Sequence, residues 1–403
     1  MTLPSPVSDR RTFLAASGCA IGALSGCVDV FDADSNGPTR DPSADKPDGF
    51  TVETVAALEH PWGLAFSPAG REILVTERPG RLAVVDLDRD SVERSDGVPE
   101  VSATGQGGLL DIAFHPDFPD DSSVYLTYSA ANADGDTATH LGRGYLDRAA
   151  RRLDAFETLH VAEPFVDSNG HYGSRIVFGE DGLLYMTSGD RQFKNFGPDH
   201  VSQDTSTELG ATLRLEPDGS IPSDNPFVDA PDVIDSIYSY GHRNAQGMAV
   251  HPDTGALWQS EHGEEDGDEL NIIDAGGNFG WPIATYGCAY GTTDPIGDRP
   301  DERDDTVEPV YYWACNSGGF PPAGMTFYQG EAFPEWHGDL FVGNLAGQYL
   351  GHFAVDGTAV EELDPLLADY GWRIRDVTVD PETGVLYVAV DANDGLLVRM
   401  VPE

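Results

Sequence analysis

Apolar and polar residues alternate with a period of two in six separate stretches of this chain. In each stretch the alternation continues on both sides of a Gly, Pro or Asp turn, which is typical of a β-hairpin with one buried face. The six stretches begin at Trp62, Leu109, Gly173, Gln246, Ala323 and Ile374. Because no stretch shows a long helical period, the pattern predicts an all-β protein.

The spacing of the hairpins favours one architecture. Six hairpins separated by long and unequal inserts predict a six-bladed β-propeller with four-stranded antiparallel blades; a β-sandwich has more evenly spaced strands. The outer strands are expected in the intervening segments, such as those that begin at Gly80 and Gly395. The final strand is predicted to close the ring against the first, because closure removes most exposed sheet edges.

The first 49 residues precede the predicted fold. Arg10 and Arg11 stand before a short apolar run that ends in LSGC at Cys27, which resembles a twin-arginine export signal followed by a lipobox. Residues 1–27 are therefore predicted to be this signal, with Cys27 anchored by lipid to the outer face of the cell membrane; a short buried helix is the alternative. Residues 28–49 indicate an acidic flexible tether, and residues 50–403 the propeller domain.

Composition restricts the partners. The chain of 403 residues has 69 Asp and Glu against 23 Lys and Arg, a net charge of −46. Nucleic acid is excluded as a partner because phosphate binding requires a basic patch. The acids are spread along the chain, so we expect a solvated surface adapted to high salt, as in a haloarchaeal-type lipoprotein. The alternative is a surface that binds cations or a basic partner.

Two cysteines remain after the predicted processing. Cys19 leaves with the signal and Cys27 carries lipid, while Cys288 and Cys315 stand in one loop-rich stretch. In an oxidising compartment we expect these two to form a disulfide that closes the loop.

Polar residues unusual for turns stand beside several hairpins. Propeller loops converge at one end of the axis, so residues from several repeats are expected to form one site there. The candidates from the second, third, fourth and sixth repeats are Gln106, His171, Arg243, Asn244, Arg373 and Arg375.

Five segments carry a more specific signal when taken in order. They are GQGGLLDIAFHPDF (105–118), HYGSRIVFGEDGLLYMTSGD (171–190), GHRNAQG (241–247), QSEHGEEDGDELNIIDAGGNFGW (259–281) and WRIRDV (372–377). Together they resemble the soluble glucose and aldose sugar dehydrogenases (glucose/sorbosone dehydrogenase-like) that use pyrroloquinoline quinone (PQQ). The resemblance covers about residues 61–403.

The resemblance implies oxidation of an aldose at its anomeric carbon to the lactone, with electrons passed to a membrane quinone or another acceptor. His171 matches the base of that family and Asp190 the carboxylate that orients it. A neutral imidazole suits the removal of a hydroxyl proton near pH 7. On its own, His171 is equally consistent with a surface loop.

The resemblance also implies a cofactor pocket. Arg243, Arg373 and Arg375 match positions that bind PQQ, a flat tricarboxylate onto which guanidinium groups can fork. Arg243 would in addition stabilise charge on the reduced quinone. Gln106 and Asn244 match the hydrogen-bonding side chains. Salt bridges to the acidic surface are the alternative role for the arginines.

Calcium is the second implied cofactor. The family's cofactor ion is held by main-chain carbonyls that fall here on Gly263 and Glu264, and a structural ion matches Glu269 and the carbonyl of Phe279. The same acidic run is also consistent with a solvated loop.

The chain departs from the family at several positions. A lysine that the family places on the cofactor falls on Ala346, and the family's glutamine and proline around the calcium glycine fall on His262 and Glu264. Trp313 is the candidate for the aromatic platform under the sugar.

Two other functions remain open from the sequence. One is a propeller lactonase or other hydrolase that binds a divalent ion through carboxylates from separate blades. The other is a non-catalytic propeller that binds a glycan or a protein partner.

Overall fold

The computed structural model describes residues 49–403. The predicted signal, the lipid site at Cys27 and nearly all of the tether lie outside the described residues. Within residues 49–403, 24 strands form six antiparallel sheets of four strands each, so the predicted six-bladed propeller is confirmed. None of the helices in this part of the chain is long and apolar enough to cross a membrane.

The first three blades follow one another along the chain, each from its innermost to its outermost strand. Blade 1 contains β2 (Pro61–Phe66), β3 (Glu72–Glu77), β4 (Arg81–Asp86) and β5 (Ser91–Ser95). Blade 2 contains β6 (Leu109–Phe114), β7 (Ser123–Ala131), β8 (Thr137–Asp147) and β9 (Arg152–Val166). Blade 3 contains β10 (Ile176–Phe178), β11 (Leu184–Ser188), β12 (Ala211–Leu215) and β13 (Ile237–Tyr240).

Blades 4 and 5 follow the same order, and blade 6 combines both ends of the described chain. Blade 4 contains β14 (Ala245–Val250), β15 (Leu257–Glu261), β16 (Glu269–Ile272) and β17 (Tyr311–Tyr312). Blade 5 contains β18 (Pro322–Phe327), β19 (Leu340–Asn344), β20 (Tyr349–Asp356) and β21 (Ala359–Glu362). Blade 6 contains β22 (Ile374–Val379), β23 (Leu386–Val390), β24 (Gly395–Pro402) and β1 (Phe50–Leu58). Short 3-10 helices in the connections are Val201–Gln203, Pro300–Glu302, Pro334–Trp336 and Ala368–Tyr370.

Each of the six predicted hairpins forms the two innermost strands of one blade. The outer strands lie in the intervening segments, as expected. The first strand of every blade packs against the first strand of the next, which closes the ring around the axis.

The ring is closed by pairing between β1 and β24. The two strands run antiparallel from Phe50 opposite Pro402 to Leu58 opposite Gly395, with one irregularity at Thr54. The prediction that the last strand closes the ring against the first is therefore confirmed.

The hydrophobic core is divided among the junctions between blades. Six clusters of buried residues each combine side chains from two neighbouring blades. Between blades 6 and 1, for example, Leu64 and Ile73 pack with Tyr387 and Leu397. Since apolar burial is the main favourable term in folding, these junctions hold neighbouring blades together.

An ionic network ties the innermost strands together at the axis. Arg175 lies 3.0 Å from Asp111 and 3.2 Å from Asp376, all of them buried. The two carboxylates also accept backbone hydrogen bonds, Asp111 from Ile176 and Asp376 from Leu64, both at 2.8 Å. Burial raises the pKa of Asp111 to about 6 although Arg175 opposes the shift. Blades 1, 2, 3 and 6 are thereby joined next to the loops that carry the candidate site.

A disulfide joins Cys288, in the insert between β16 and β17, to Cys315, in the loop that follows β17. This pairing confirms the prediction made for the two cysteines.

Candidate active site

His171 lies on the loop between β9 and β10 and is held through its backbone and its ring. Its backbone N–H donates to Oε1 of Gln106 at 2.9 Å, and its Nδ1 lies 2.6 Å from Oδ1 of Asp190. The side chain is buried, and none of the described residues makes a hydrogen bond to Nε2. The ring is therefore fixed at one nitrogen and available at the other.

Asp190 follows β11, next to Gly189. The absence of a side chain at Gly189 lets the backbone of His171 come close to this strand end. A Cβ on Gly189 would lie 2.2 Å from the backbone oxygen of His171, a contact that no other residue tolerates. The second oxygen of Asp190 accepts a hydrogen bond from the indole N–H of Trp281 at 2.9 Å. The sequence did not single out Trp281, because it stands 91 residues further along the chain.

The electrostatics of this pair favour a charged carboxylate and a neutral imidazole. Burial lowers the pKa of His171, and the positive charge of Arg243 lowers it further, against the opposing effect of Asp190. For Asp190, burial favours the neutral acid, but His171 and Arg243 outweigh it, so the pKa of Asp190 lies below its usual value. His171 thus stays neutral to lower pH than a free histidine.

The backbone around the pair is strained. Four non-glycine residues have left-handed φ angles: His171 (47°), Ser174 (78°), Arg191 (56°) and Gln192 (65°). Such conformations cost free energy and persist only where the surroundings hold them, and they cluster at functional sites. No sequence pattern signals them.

Two buried arginines bring unsatisfied donors to the axis. Arg243 donates to Glu264 at 2.6 Å, and Arg375 donates to Gln246 at 2.9 Å and to Asp391 at 2.8 Å. The Nε atoms of both arginines have no hydrogen-bond partner among the described residues. A buried guanidinium N–H without a partner is costly, so both positions fit an anionic ligand with carboxylate or carbonyl oxygens.

The remaining predicted ligands lie around the same point. Arg243, His171, Arg375 and Arg373 all act on buried His262 and, after burial itself, lower its pKa well below the usual value. Asn244 is buried and accepts a hydrogen bond from the backbone of Gly173 at 3.1 Å. Gln106 is the acceptor of the His171 N–H described above. The structure therefore brings all six polar candidates from the separate repeats, together with Asp190, to one end of the axis.

Lys194 adds a cation that the sequence reasoning did not assign to the site. It is the only lysine within residues 49–403, and its Nζ lies 2.7 Å from both carboxylate oxygens of Glu264. Glu264 therefore binds Lys194 and Arg243 together.

The predicted metal residues divide between two places. Gly263, Glu269 and Phe279 line one cavity of about 10 Å³, together with Glu261. Burial raises the pKa of Glu269 well above its usual value, and the charge of Glu261 adds to the shift. Glu264 does not line this cavity, and its carboxylate binds Lys194 and Arg243, of which Arg243 also lines the cavity. Within residues 49–403, no cluster of three or more His, Cys, Asp or Glu side chains has the arrangement of a metal site.

Comparison with known proteins identifies the family of this site. The family model described as glucose/sorbosone dehydrogenase matches residues 58–399. The chain belongs to the glucose/sorbosone dehydrogenase family. The resemblance found in the sequence is therefore confirmed, and the chain is an oxidoreductase by membership.

Individual relatives of this dehydrogenase cover most of its length. The aldose sugar dehydrogenase YliI of Escherichia coli is 38% identical over 86% of this chain and 91% of its own. Quinoprotein glucose dehydrogenase B of Acinetobacter calcoaceticus is 29% identical over 86% of each chain. The PQQ-bound structure of the aldose sugar dehydrogenase from Streptomyces coelicolor matches with a TM-score of 0.70 at 29% identity, over 89% of this chain and all of that one.

One expectation for this dehydrogenase is wrong. Trp313 does not form an exposed platform, because it is buried between blades 4 and 5 and stacks on Phe320 with ring centroids 4.4 Å apart. Its indole N–H is bound to Glu362 at 3.2 Å. Alternating apolar positions on β17 and the following loop direct this ring into the blade junction.

The resemblance found in the sequence matched Ala346 to a cofactor lysine of the family. Ala346 is exposed in the turn between β19 and β20. Lys194 instead provides a cation from the connection between blade 3 strands.

Proposed function

We propose that this protein oxidises an aldose sugar at its anomeric carbon to the lactone in a PQQ-dependent reaction. The observation that carries the proposal is the pairing of a buried, neutral histidine with two arginines whose Nε donors are unsatisfied. The histidine supplies a base, and the two arginines fit a flat anionic cofactor.

His171 is the proposed base. With Asp190 as acceptor for Nδ1–H, the proton of the neutral ring lies on Nδ1 and the lone pair of Nε2 is available. Nε2 then accepts the proton of the anomeric hydroxyl. Asp190 keeps the ring oriented and stabilises the imidazolium that forms, while Trp281 holds the carboxylate in place.

Arg243, Arg373 and Arg375 are the proposed cofactor ligands, with Gln106 and Asn244 beside them. When bound, PQQ supplies the two-electron acceptor for the hydride from the anomeric carbon. The positive charge of Arg243 lowers the pKa of both His171 and Asp190. Its positive charge would stabilise negative charge that develops at the cofactor.

Calcium is proposed as a second bound group. Two buried carboxylates, Glu261 and Glu269, face one small cavity, and the raised pKa of Glu269 reflects their mutual repulsion as well as burial. A hard divalent cation accepts carboxylate and carbonyl oxygens and would relieve this repulsion. The carbonyl of Phe279 is the proposed further ligand of this structural ion, and the carbonyls of Gly263 and Glu264 are the proposed ligands of a separate ion at the cofactor.

The location of the protein remains a proposal from the sequence. An export signal and a lipid on Cys27 would hold the enzyme at the outer face of the membrane. Electrons would then pass to a membrane quinone or a nearby redox carrier.

The lactonase alternative is not favoured by the axial side chains. Such a hydrolase needs free carboxylates from several blades around one ion. Here Asp190 is bound to a histidine and Asp391 to an arginine, and the two carboxylates of the axial network share Arg175.

Reconstitution tests the proposed function. The purified protein is incubated in high salt with PQQ and calcium, and dye reduction is measured on a panel of aldoses. We expect turnover that requires PQQ and is lost by about 10²–10⁴-fold in His171→Ala, as for removal of a general base.

His337→Ala is the matched control for this experiment, because His337 is exposed on blade 5 and outside the site. Hydrolysis of a lactone by the protein with calcium but without PQQ would instead support the hydrolase. Failure of PQQ to bind at all would refute the dehydrogenase.

A further inference from the structure

His60 lies in the connection between β1 and β2, where the strand that closes the ring passes into blade 1. Its φ angle of 47° is in the left-handed region, which a residue other than glycine adopts only where its surroundings hold it. Its backbone N–H donates to the oxygen of Ala392 at 2.9 Å, and its backbone oxygen accepts from the N–H of Arg78 at 3.0 Å. His60 is therefore fixed between blades 6 and 1.

The ring of His60 contacts a carboxylate that also binds an arginine of the site. Nδ1 of His60 lies 2.7 Å from Oδ1 of Asp391, and Nη2 of Arg375 donates to Oδ2 of the same carboxylate at 2.8 Å. Burial raises the pKa of Asp391, but the charge of Arg375 and the hydrogen bond from His60 outweigh it, so this pKa lies below its usual value. Because a charged carboxylate only accepts hydrogen bonds, Nδ1 of His60 carries a proton and donates it to this bond.

Asp391 is linked to both arginines of the last blade. Its backbone N–H donates to the oxygen of Arg373 at 2.9 Å, while its side chain binds Arg375. Arg375 is also bound by Gln246, and its guanidinium carbon lies 5.7 Å from the ring centroid of Trp62. These contacts leave Nε of Arg375 without a partner among the described residues. The orientation of this free donor therefore depends on the position of Asp391.

His60 determines whether the carboxylate of Asp391 can turn. A carboxylate bound at one oxygen can rotate about the bond to its Cβ, whereas one bound at both oxygens is fixed. Without the imidazole, Oδ1 of Asp391 would be buried without its donor, which is unfavourable. The carboxylate would then turn toward other donors, and Arg375 would move with it.

We propose that His60 is a positioning residue for the cofactor site, which through Asp391 holds Arg375 in the orientation that binds the anionic cofactor. The inference rests on the proposed function and adds to it a residue that acts without contacting the sugar or the cofactor. His60 leads into blade 1, whereas Asp391 and Arg375 belong to blade 6. The site is therefore completed across the junction at which the ring closes.

Two substitutions separate the imidazole of His60 from its backbone conformation. Glycine and asparagine both tolerate a left-handed φ, but only asparagine keeps a side-chain N–H that can donate to Asp391. The cofactor-free full chain is titrated calorimetrically with PQQ in high salt and calcium. We expect His60→Gly to bind PQQ about tenfold more weakly than the parent protein, and His60→Asn to restore most of the affinity.

Asp90→Gly is the matched control. Asp90 is exposed in the turn between β4 and β5 and has a similar φ of 51°, so the substitution makes the same backbone change away from the site. It should leave the affinity for PQQ unchanged. Denaturant unfolding of the cofactor-free variants shows whether each is as stable as the parent protein.

Dye reduction provides a second measurement, which separates positioning from catalysis. In His60→Gly the apparent KM for PQQ should rise about tenfold, in line with the loss of affinity. The value of kcat at saturating PQQ should stay near that of the parent protein, because His171 and Asp190 are unchanged.

The outcomes separate this inference from the proposed function. Equal affinity for PQQ in the parent protein and His60→Gly would overturn the positioning role and leave the dehydrogenase intact. Equal weakening in both His60 variants, or in Asp90→Gly, would also overturn it, because the effect would not then come from the N–H donated to Asp391. Failure of the parent protein to bind PQQ would refute the proposed function and the inference with it.

Discussion

At the scale of single residues, the site depends on charges that are balanced in pairs inside a low-dielectric interior. Arg375 is paired with Asp391, and Glu264 with both Arg243 and Lys194. The charged Asp190 is held instead by hydrogen bonds to the neutral His171 and to Trp281. Removal of one partner leaves the other charge buried and unpaired, which is strongly unfavourable. Each pair therefore fixes the position of a functional group as well as its charge.

The protonation of His171 gives the first prediction at this scale. A base must be neutral, and burial together with Arg243 lowers the pKa of His171, so kcat/KM should persist as pH falls below the usual histidine range. Activity is lost only when pH falls through the lowered pKa. Arg243→Gln removes the positive charge, which raises this pKa, so the acid limb of the pH profile should move to higher pH.

Arg243→Lys is the control because it keeps a positive charge at the same position. Both variants are assayed over the pH range at saturating PQQ, so that weaker cofactor binding does not obscure the limb. An acid limb at the same pH in parent and Arg243→Gln would contradict the role assigned to this charge.

Sequence reasoning found some of these residues and missed others for a physical reason. His171, Asp190 and the three arginines stand in contiguous motifs next to strands, so their segments could be recognised. Lys194 and Glu264 are 70 residues apart and in contact only because two blade loops meet at the axis. Trp281 likewise contacts Asp190 only because two distant loops meet. Trp313 was assigned to the sugar because it lies in a loop, but its ring is buried in the core.

At the scale of elements, each blade is stable only through its junctions. A four-stranded sheet buries its two faces against the neighbouring blades, and the alternation of apolar residues on the strands supplies both faces. The same alternation made the six inner hairpins predictable from the sequence. The outer strands carry a weaker pattern, as in β5 and β21, which are largely exposed.

Leu397 on β24 tests the junction between blades 6 and 1. It is fully buried in that cluster, so Leu397→Ala should lower the free energy of unfolding by about 3 kcal/mol through lost burial and the cavity left behind. Denaturant unfolding in high salt measures the change. Its neighbour Leu396 is only partly buried, and Leu396→Ala should cost clearly less. Leu396 packs against the junction between blades 5 and 6, so equal losses in the two variants would show that the cost does not follow the depth of burial.

At the scale of the whole molecule, a very acidic protein brings three arginines together at its axis. The chain carries a net charge of −46, yet Arg243, Arg373 and Arg375 act together on one buried histidine. The composition predicted the acidic surface, but only the closed ring brings the arginines together. The Nε donors of Arg243 and Arg375, which have no partner among the described residues, can donate hydrogen bonds to an anion there.

Self-repulsion of the acidic surface predicts a dependence of stability on salt. The screening length falls from about 10 Å at 0.1 M to about 3 Å at 1 M, so dilution of salt should lower Tm. Thermal unfolding is followed in potassium chloride from 0.1 to 3 M, concentrations chosen to span the screening range. Sucrose at matched osmolality serves as the control, and an equal stabilisation by sucrose would argue against charge screening.

The pairing of β1 with β24 has a consequence for how the ring is made. The first strand has no partner until the last strand has been synthesised, so the propeller cannot close while the chain is still growing. The backbone N–H of Glu403 donates to the oxygen of Gly49 at 3.2 Å, so these two residues are neighbours in space. A circular permutant that joins these two residues and opens the chain between two other blades should therefore form the same ring. In that permutant a different strand would be the last to pair.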